Sequence, residues 1–188
     1  MEVKEVFDEV IRDKAFYKNS GGGITVSGGE ALSQDEFTAE LLEMSKKEGL
    51  HTVLDTTGYA PWEKMKRVLD SVDLVLFDIK HLDSREHKRT TRVENELILE
   101  NLEKMSRLKN IWLRMPLIRG FNDSEAYIRN IVLLGKRTGA EKVSLLPYHE
   151  VENPSANSWA DLLICSPGQR HLMMNISIPL GKLLRPWV

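Results

Sequence analysis

Residues 21–30 form the first of a series of similar segments, and they read Gly21-Gly22-Gly23-Ile24-Thr25-Val26-Ser27-Gly28-Gly29-Glu30. The leading glycines end an amphipathic helical pattern that begins near the N-terminus. The β-branched run from Ile24 predicts a short buried strand. Gly28 and Gly29 then expose bare backbone, and Ser33–Glu36 has the pattern of a capping box at a helix start. The segment therefore predicts a strand, a polar loop and a helix.

The same order of strand, polar loop and helix recurs along the chain. Counted from Thr25, five apolar strand centres follow one another at intervals of 22 to 37 residues, and the later strands are Thr52–Leu54, Leu74–Phe77, Ile111–Leu113 and Val143–Leu146. Amphipathic helices are predicted between them at Pro61–Leu69, Glu96–Leu108 and Asp123–Arg137. This alternation is typical of an α/β fold with a parallel sheet.

The C-terminal part of the chain has a different character. Four prolines interrupt it, namely Pro154, Pro167, Pro179 and Pro186, and it contains no long amphipathic helix. Ile176–Ile178 fits either a short edge strand or irregular structure. We therefore expect a core over residues 1–150 and a divergent tail over residues 151–188.

Composition excludes several classes of function. The 188 residues carry 26 basic and 28 acidic side chains, a balance that predicts no nucleic-acid partner. No apolar run approaches the ~18 residues of a membrane span, and the charged N-terminus lacks a signal-peptide core. We therefore expect a cytoplasmic protein without a membrane partner. Cys165 is the single cysteine, so an internal disulfide is impossible.

Chemically distinctive residues follow each predicted strand. In chain order these are Gly28, Gly29 and Glu30; Asp55 and Thr56; Asp78, Ile79 and Lys80; Arg114; and His149. The carboxyl ends of parallel strands share one face of a sheet or barrel, and ligands bind there. The pattern therefore predicts one ligand site built from five strand ends.

The first two strand ends favour a cationic group. Gly28 and Gly29 let a ligand approach the backbone, and Glu30 can hold an ammonium group, although a plain tight turn is the alternative. Asp55 and Thr56 offer hard oxygen ligands for a cation. Both residues are also common helix caps, so a purely structural role stays open.

The other three strand ends favour an anionic group. Asp78 and Lys80 could fix a ligand carboxylate or an aspartate-bound cation, or form a structural ion pair. Arg114 can donate two hydrogen bonds to a carboxylate, or form a salt bridge at the rim. A lone histidine is more often structural than functional, but the position of His149 after the fifth strand makes it a candidate for binding. The remaining histidines are expected to be structural, namely His51, His81, His87 and His171.

These strand ends resemble the activating enzymes of glycyl-radical enzymes, which are radical S-adenosylmethionine (SAM) proteins of the pyruvate formate-lyase activating type. The matching motifs, in family order, are Gly21–Leu32, Asp55–Gly58, Phe77–Lys80, Asn95–Leu102, Arg114–Gly120 and Leu145–His149. Each motif is weak by itself, but their shared order and spacing are specific. The resemblance covers residues 1–150.

The resemblance implies a fold, cofactors and partners. The fold is a partial TIM-like barrel of βα units with outer helices. A 4Fe–4S cluster binds SAM and cleaves it reductively to methionine and a 5′-deoxyadenosyl radical, which takes a hydrogen atom from a backbone glycine of the partner. The partner is a glycyl-radical enzyme such as pyruvate formate-lyase, in anaerobic metabolism. A flavodoxin or ferredoxin donates the electron.

The resemblance also implies residue roles. The SAM-binding set is Gly28, Gly29, Glu30, Asp78, Ile79, Lys80, Arg114 and His149. Its first three members would hold the methionine amino group, and Lys80, Arg114 and His149 would line the carboxylate and ribose. A possible monovalent-cation site is Asp55, Thr56 and Asp78. No side chain is assigned a catalytic role, because the cofactors carry the chemistry.

The chain departs from the family pattern in three respects. It contains no CxxxCxxC motif, and Cys165 cannot replace three thiolates. Arg92 stands where the family often has glycine, and the family tail is not recognisable after His149. We therefore expect the SAM-binding core of a radical SAM oxidoreductase that is inactive by itself.

Two other functions fit parts of the pattern. One is a non-catalytic remnant of the family that serves as a binding module. The other is a Schiff-base aldolase that uses Lys80. The aldolase is disfavoured because a Schiff-base lysine must lose its charge, whereas the neighbouring Asp78 favours the charged form. Borohydride trapping with a carbonyl substrate would reveal an aldolase.

We predict that this chain does not hold a 4Fe–4S cluster, because one cysteine cannot supply the thiolate ligands. After anaerobic incubation with iron and sulfide, the desalted protein should contain no stoichiometric iron and show no visible charge-transfer band. Stoichiometric iron together with such a band would refute the prediction.

Overall fold

The computed structural model describes residues 2–147 and 176–179, and the chain divides into two compact units. Unit 1 is Met1–Asp78 with Leu97–Trp112, and unit 2 is Ile79–Glu96 with Leu113–Val188. The strands are β1 Gly23–Val26, β2 His51–Thr56, β3 Leu74–Asp78, β4 Asn110–Leu117, β5 Lys142–Pro147 and β6 Ile176–Pro179. The helices are α1 Val3–Arg12, α2 Lys14–Ser20, α3 Asp35–Lys47, α4 Trp62–Leu69, α5 Ser84–Thr91, α6 Glu96–Met105 and α7 Glu125–Arg137, with a 3₁₀ turn at Ala31–Gln34.

Strands follow one another in the sheet in chain order, from β1 to β6. In unit 1, β1 pairs with β2 and β2 pairs with β3, both in parallel. The predicted parallel βα arrangement is therefore confirmed here. The prediction that β1 is buried is wrong, since Thr25 is exposed and the other residues of β1 are half-buried. β1 lies at the end of the strand order, so no strand of the described residues pairs with one of its edges.

Side chains of β2 alternate between two environments. Thr52, Leu54 and Thr56 are buried, whereas Val53 and Asp55 are half-buried. β3 follows the same alternation, with Val75 and Phe77 buried. The buried residues share the core of unit 1 with apolar side chains of the helices, namely Leu41, Leu42, Met65, Val68, Leu102 and Met105. Asp55 and Asp78 lie on the less buried face, near the carboxyl ends of β2 and β3.

The start of α3 differs from the predicted capping box. Ser33 lies in the 3₁₀ turn, where its hydroxyl donates to the Glu30 carbonyl at 2.7 Å, and Gln34 is the N-cap without a side-chain bond. Asp35 supports the helix start instead, because its buried carboxylate pairs with Lys64 at 2.9 Å and with Arg67. The hydrogen bond from Lys64 is the main reason that the pKa of Asp35 is lowered. These pairs join α3 to α4.

Gly58, just after β2, lies where only glycine fits. Its φ of +75° is in the left-handed region, and a Cβ there would lie 2.4 Å from the Cζ of Phe77. Phe77 is fully buried at the end of β3. The chain therefore turns tightly over the Phe77 ring, which sets the path of the loop between β2 and α4.

Unit 2 includes the later strands and the segment around α5. β6 pairs with β5 in antiparallel register, from Lys142 opposite Pro179 to Leu145 opposite Ile176, which confirms the edge-strand alternative for this stretch. On α7, Ile131 is buried, whereas Ile128 and Val132 are half-buried. The predicted boundary at residue 150 falls outside the described residues and stays a prediction.

Arg92 ends α5 with φ 68° and ψ 3°, which makes it the one non-glycine residue with positive φ among residues 2–147 and 176–179. We expect Arg92→Gly to raise the free energy of unfolding by about 1 kcal/mol, because the Cβ strains a left-handed backbone. Urea denaturation measures the change.

Arg92→Ala is the matched control, since it removes the same side chain but keeps the Cβ. It should give no stabilisation. Equal stabilisation by the glycine and alanine variants would show that the side chain, and not the backbone, is responsible.

Candidate cofactor site

Glu30 is the organising residue of the first strand end. It follows the exposed residues Gly28 and Gly29 and is itself half-buried in extended conformation. Its Oε1 accepts a hydrogen bond from the Leu32 N–H at 3.1 Å, which caps the 3₁₀ turn. The carboxylate therefore points back toward the protein and fixes the direction in which the chain leaves β1.

Residues that follow β2 supply the other bonds to Glu30. The Thr56 hydroxyl donates to Oε1 at 2.6 Å. The Thr57 N–H and hydroxyl donate to Oε2 at 3.0 and 2.6 Å. With the Leu32 bond, two donors reach each oxygen, which matches the acceptor capacity of a carboxylate. We call this arrangement the Glu30 clamp, formed by Glu30, Leu32, Thr56 and Thr57.

The clamp leaves the two glycines as the accessible part of this strand end. Gly28 has φ +142°, a conformation that favours glycine. A Cβ added to Gly29 would meet no atom within 4 Å, so the space beside it is open. The backbone groups of Gly28 and Gly29 can therefore contact a ligand without displacing protein atoms.

Asp55 and Thr56 are adjacent in sequence but lie on opposite faces of β2. Asp55 is half-buried and its Oδ2 accepts from the Ser27 hydroxyl at 3.0 Å. Thr56 is buried, and its hydroxyl bonds Glu30 and accepts from the Gly58 N–H at 2.9 Å. The side chain of Thr56 thus serves the clamp.

Asp78 is the last residue of β3 and is half-buried. In the parallel register Asp55 lies opposite Leu76, and alternation places Asp78 on the same face as Leu76 and Asp55. Two of the three predicted cation ligands therefore share one face of unit 1. Within the described part of the chain, no group of three or more His, Cys, Asp or Glu residues could hold a metal ion. The monovalent-cation site stays a prediction.

In unit 2, the residues from the third and fourth strand ends are joined through the backbone. The Ile79 N–H donates to the Arg114 carbonyl at 2.9 Å. Asn122, fully buried, donates to the Pro116 carbonyl at 2.8 Å and to the Lys80 carbonyl at 3.4 Å. Its Oδ1 accepts from the Ile118 N–H at 2.7 Å. The backbone of Lys80 is therefore held beside β4.

The segment after Lys80 is anchored by aromatic side chains. The ring centroid of buried His81 lies 4.8 Å from that of Phe121 and 4.7 Å from that of Tyr127. The Leu82 N–H donates to the Tyr127 hydroxyl at 2.6 Å, and burial raises the pKa of Tyr127 to about 12. The structural role predicted for His81 therefore agrees with its packing.

Sequence reasoning missed four polar residues that support these strand ends, namely Ser27, Thr57, Asn101 and Asn122. Ser27, Thr57 and Asn101 lie inside quoted motifs but were assigned no role. Asn122 lies in a loop whose pattern predicts no ligand. Of the predicted set, His149 lies outside the described residues, and its role stays a prediction.

Within residues 2–147 and 176–179, every helix is too short or too polar to cross a membrane.

Residues 1–130 match the family model described as the Radical SAM superfamily. The chain belongs to the radical SAM superfamily. It is 46% identical over 131 residues to the (2S)-3-sulfopropanediol dehydratase activating enzyme of Klebsiella oxytoca, a match that covers 69% of this chain and 41% of the relative. It is 41% identical over 154 residues to the choline trimethylamine-lyase activating enzyme of Oleidesulfovibrio alaskensis, covering 79% and 50%.

Solved structures agree with this assignment. A domain of pyruvate-formate lyase-activating enzyme from Bacteroides vulgatus gives a TM-score of 0.56 at 35% identity, over 60% of this chain and 71% of that domain. The predicted resemblance to activating enzymes of glycyl-radical enzymes is confirmed. So is the predicted fold class, an α/β partial TIM-like barrel of βα units. The radical SAM chain spans about half the length of the curated relatives it matches.

The described residues fit SAM but not the cluster. Exposed carbonyls at Gly28 and Gly29 suit an ammonium group, and the cationic side chains of Lys80 and Arg114 suit a carboxylate. A 4Fe–4S cluster needs several thiolates, whereas the sequence has one cysteine, Cys165, outside the described residues. The cysteine content of this chain therefore does not fit a cluster, whereas the residue types that the family motifs assign to SAM are present in the sequence.

We predict that Glu30→Gln lowers the free energy of unfolding by about 1 to 3 kcal/mol, because an amide nitrogen would replace one acceptor oxygen and leave donors unmatched. Urea denaturation measures the loss. Glu36→Gln is the control, since the side chain of Glu36 is 86% exposed. Equal stability of the two variants would show that the clamp does not hold Glu30 in solution.

Proposed function

We propose that this chain supplies the SAM-binding part of an activating enzyme for a glycyl-radical enzyme. The observation that carries the proposal is the Glu30 clamp, which uses the carboxylate internally and leaves the Gly28 and Gly29 backbone open to a ligand. When bound, SAM supplies the 5′-deoxyadenosyl group that takes a hydrogen atom from a glycine of the partner.

The proposed roles follow from charge and position. The carbonyls of Gly28 and Gly29 accept hydrogen bonds from the methionine ammonium group of SAM, while Glu30 holds them in place. Lys80 and Arg114 attract the methionine carboxylate, and the Asp78–Lys80 segment contributes backbone contacts through Ile79. His149 contacts the ribose, as the family motif implies. These interactions orient SAM.

A monovalent cation is proposed at Asp55 and Asp78, with the Thr56 carbonyl as a further oxygen ligand. Two carboxylates on one face of neighbouring strands make a cation favourable there.

The proposed partner is a glycyl-radical enzyme, and the proposed electron donor is a flavodoxin or ferredoxin in the cytoplasm. The relatives are named for different partners, which include a sulfopropanediol dehydratase and a choline trimethylamine-lyase. We propose a lyase or dehydratase of this group as the partner ahead of pyruvate formate-lyase. This chain by itself is proposed to bind SAM without cleaving it, because it has one cysteine.

We expect weak SAM binding by this chain, and a loss of affinity of about tenfold or more in Gly29→Ala, since the methyl group would occupy the ligand space. Chemical-shift titration of ¹⁵N-labelled protein measures both affinities. The fold should tolerate the change, because a Cβ at Gly29 meets no protein atom within 4 Å.

Gly22→Ala is the control at the opposite end of β1. A Cβ at Gly22 would lie close only to the Ser20 side chain, with its hydroxyl at 2.9 Å. It should leave SAM affinity unchanged. A wild-type chain without SAM-induced shifts, or unchanged affinity in Gly29→Ala, would overturn the proposed site.

A further inference from the structure

Asn101 on α6 is fully buried and lies far from Glu30 in sequence. Its amide nitrogen donates to the Gly58 carbonyl and to the Ala60 carbonyl, each at 2.8 Å. Its Oδ1 is buried without a hydrogen-bond partner among the described residues. An unmatched buried acceptor destabilises a protein. The structural role of this side chain therefore lies in the two hydrogen bonds that its nitrogen donates.

The two carbonyls belong to the loop that carries the clamp. The Gly58 N–H donates to the Thr56 hydroxyl at 2.9 Å, and that hydroxyl donates to Glu30 at 2.6 Å. A series of hydrogen bonds therefore links Asn101 to Glu30 through Gly58 and Thr56, and the Gly58 backbone connects the bond at its carbonyl to the bond at its N–H. The link is mechanical, because the Gly58 carbonyl and N–H belong to different planar peptide groups.

A second branch reaches the other oxygen of Glu30. The Ala60 N–H donates to the Gly58 carbonyl at 3.0 Å, and the Tyr59 N–H donates to the Thr57 hydroxyl at 3.3 Å. Thr57 then donates to Glu30 from both its N–H and its hydroxyl. Each residue of the loop from Thr56 to Ala60 is therefore bonded to Asn101, to Glu30 or to a neighbour within the loop.

We infer that Asn101 is a positioning residue for the SAM amino-group contact. It fixes the loop after β2, the loop aligns the Thr56 and Thr57 donors, and these donors hold Glu30 so that Gly28 and Gly29 face the ligand. The identity of the ligand rests on the proposed function. The mechanical coupling of Asn101 to the clamp does not, because all of its bonds lie within unit 1.

The test replaces Asn101 with leucine, which has a similar shape and no donor. Met105→Ala is the matched control, because Met105 is a fully buried residue of the same helix whose side chain has no N–H or O–H to donate to the loop carbonyls. Amide hydrogen exchange is measured at Thr57 and Gly58, with Leu54 as a reference in the core of β2. SAM affinity is measured by ¹⁵N chemical-shift titration.

In Asn101→Leu, exchange at the Thr57 and Gly58 amides should speed up by about tenfold or more beyond any change in the exchange rate of the Leu54 amide. SAM affinity should fall about tenfold. In Met105→Ala, all three amides should follow global stability. Equal relative exchange in the two variants would overturn the inference. If wild-type protein binds no SAM, the proposed function fails, and the exchange measurement still decides the coupling.

If Asn101→Leu does not fold, Thr56→Val and Thr56→Ser replace it. The valine variant removes the hydroxyl in the middle of the series, and the serine variant keeps it. Fast exchange at Gly58 and Thr57 in the valine variant, restored in the serine variant, supports the coupling. Normal exchange in the valine variant would overturn it.

Discussion

The bonds between the Glu30 carboxylate and the loop after β2 hold together the part of unit 1 that faces a ligand. A carboxylate tolerates partial burial when donors occupy its oxygens, and here Leu32, Thr56 and Thr57 provide them. Because these donors come from two consecutive strand ends, the clamp fixes the relative position of those ends. The exposed glycines take their orientation from it. A flexible Gly-Gly pair thereby becomes part of a preorganised surface, with less conformational entropy to lose when a ligand binds.

Because side chains alternate along β2, two neighbouring residues lie on opposite faces and have different hydrogen-bond partners. Asp55 lies on the less buried face, beside Ser27, whereas Thr56 lies on the buried face and bonds Glu30. The side chain of Thr56 therefore supports the clamp, whereas Asp55 is the residue of this pair that is proposed to bind a cation. Their opposite faces on β2 distinguish the two residues of the motif.

Buried asparagines support strand ends in both units. Asn101 joins the Gly58 and Ala60 carbonyls in unit 1, and Asn122 joins the Pro116 and Lys80 carbonyls in unit 2. In each case, one planar amide donates to two carbonyl groups at or just after a strand end. Loops that present ligand-binding groups cannot use regular sheet or helix bonds, so side-chain amides take their place.

The sequence by itself determined the periodic order of strands and helices, the glycines at strand ends and the family motifs, because these depend on local pattern. Helix ends were predicted less well, as with α6, which ends at Met105 instead of Leu108. The capping box predicted at Ser33 was wrong because the Ser33 hydroxyl bonds the Glu30 carbonyl.

Only the tertiary structure decided which groups donate hydrogen bonds to Glu30 and which carbonyls accept hydrogen bonds from Asn101. Thr57 and Glu30 are 27 residues apart, and Asn101 and Gly58 are 43 apart. Local propensity carries no information about partners at such separations, since packing of strands and helices brings them within reach of a hydrogen bond.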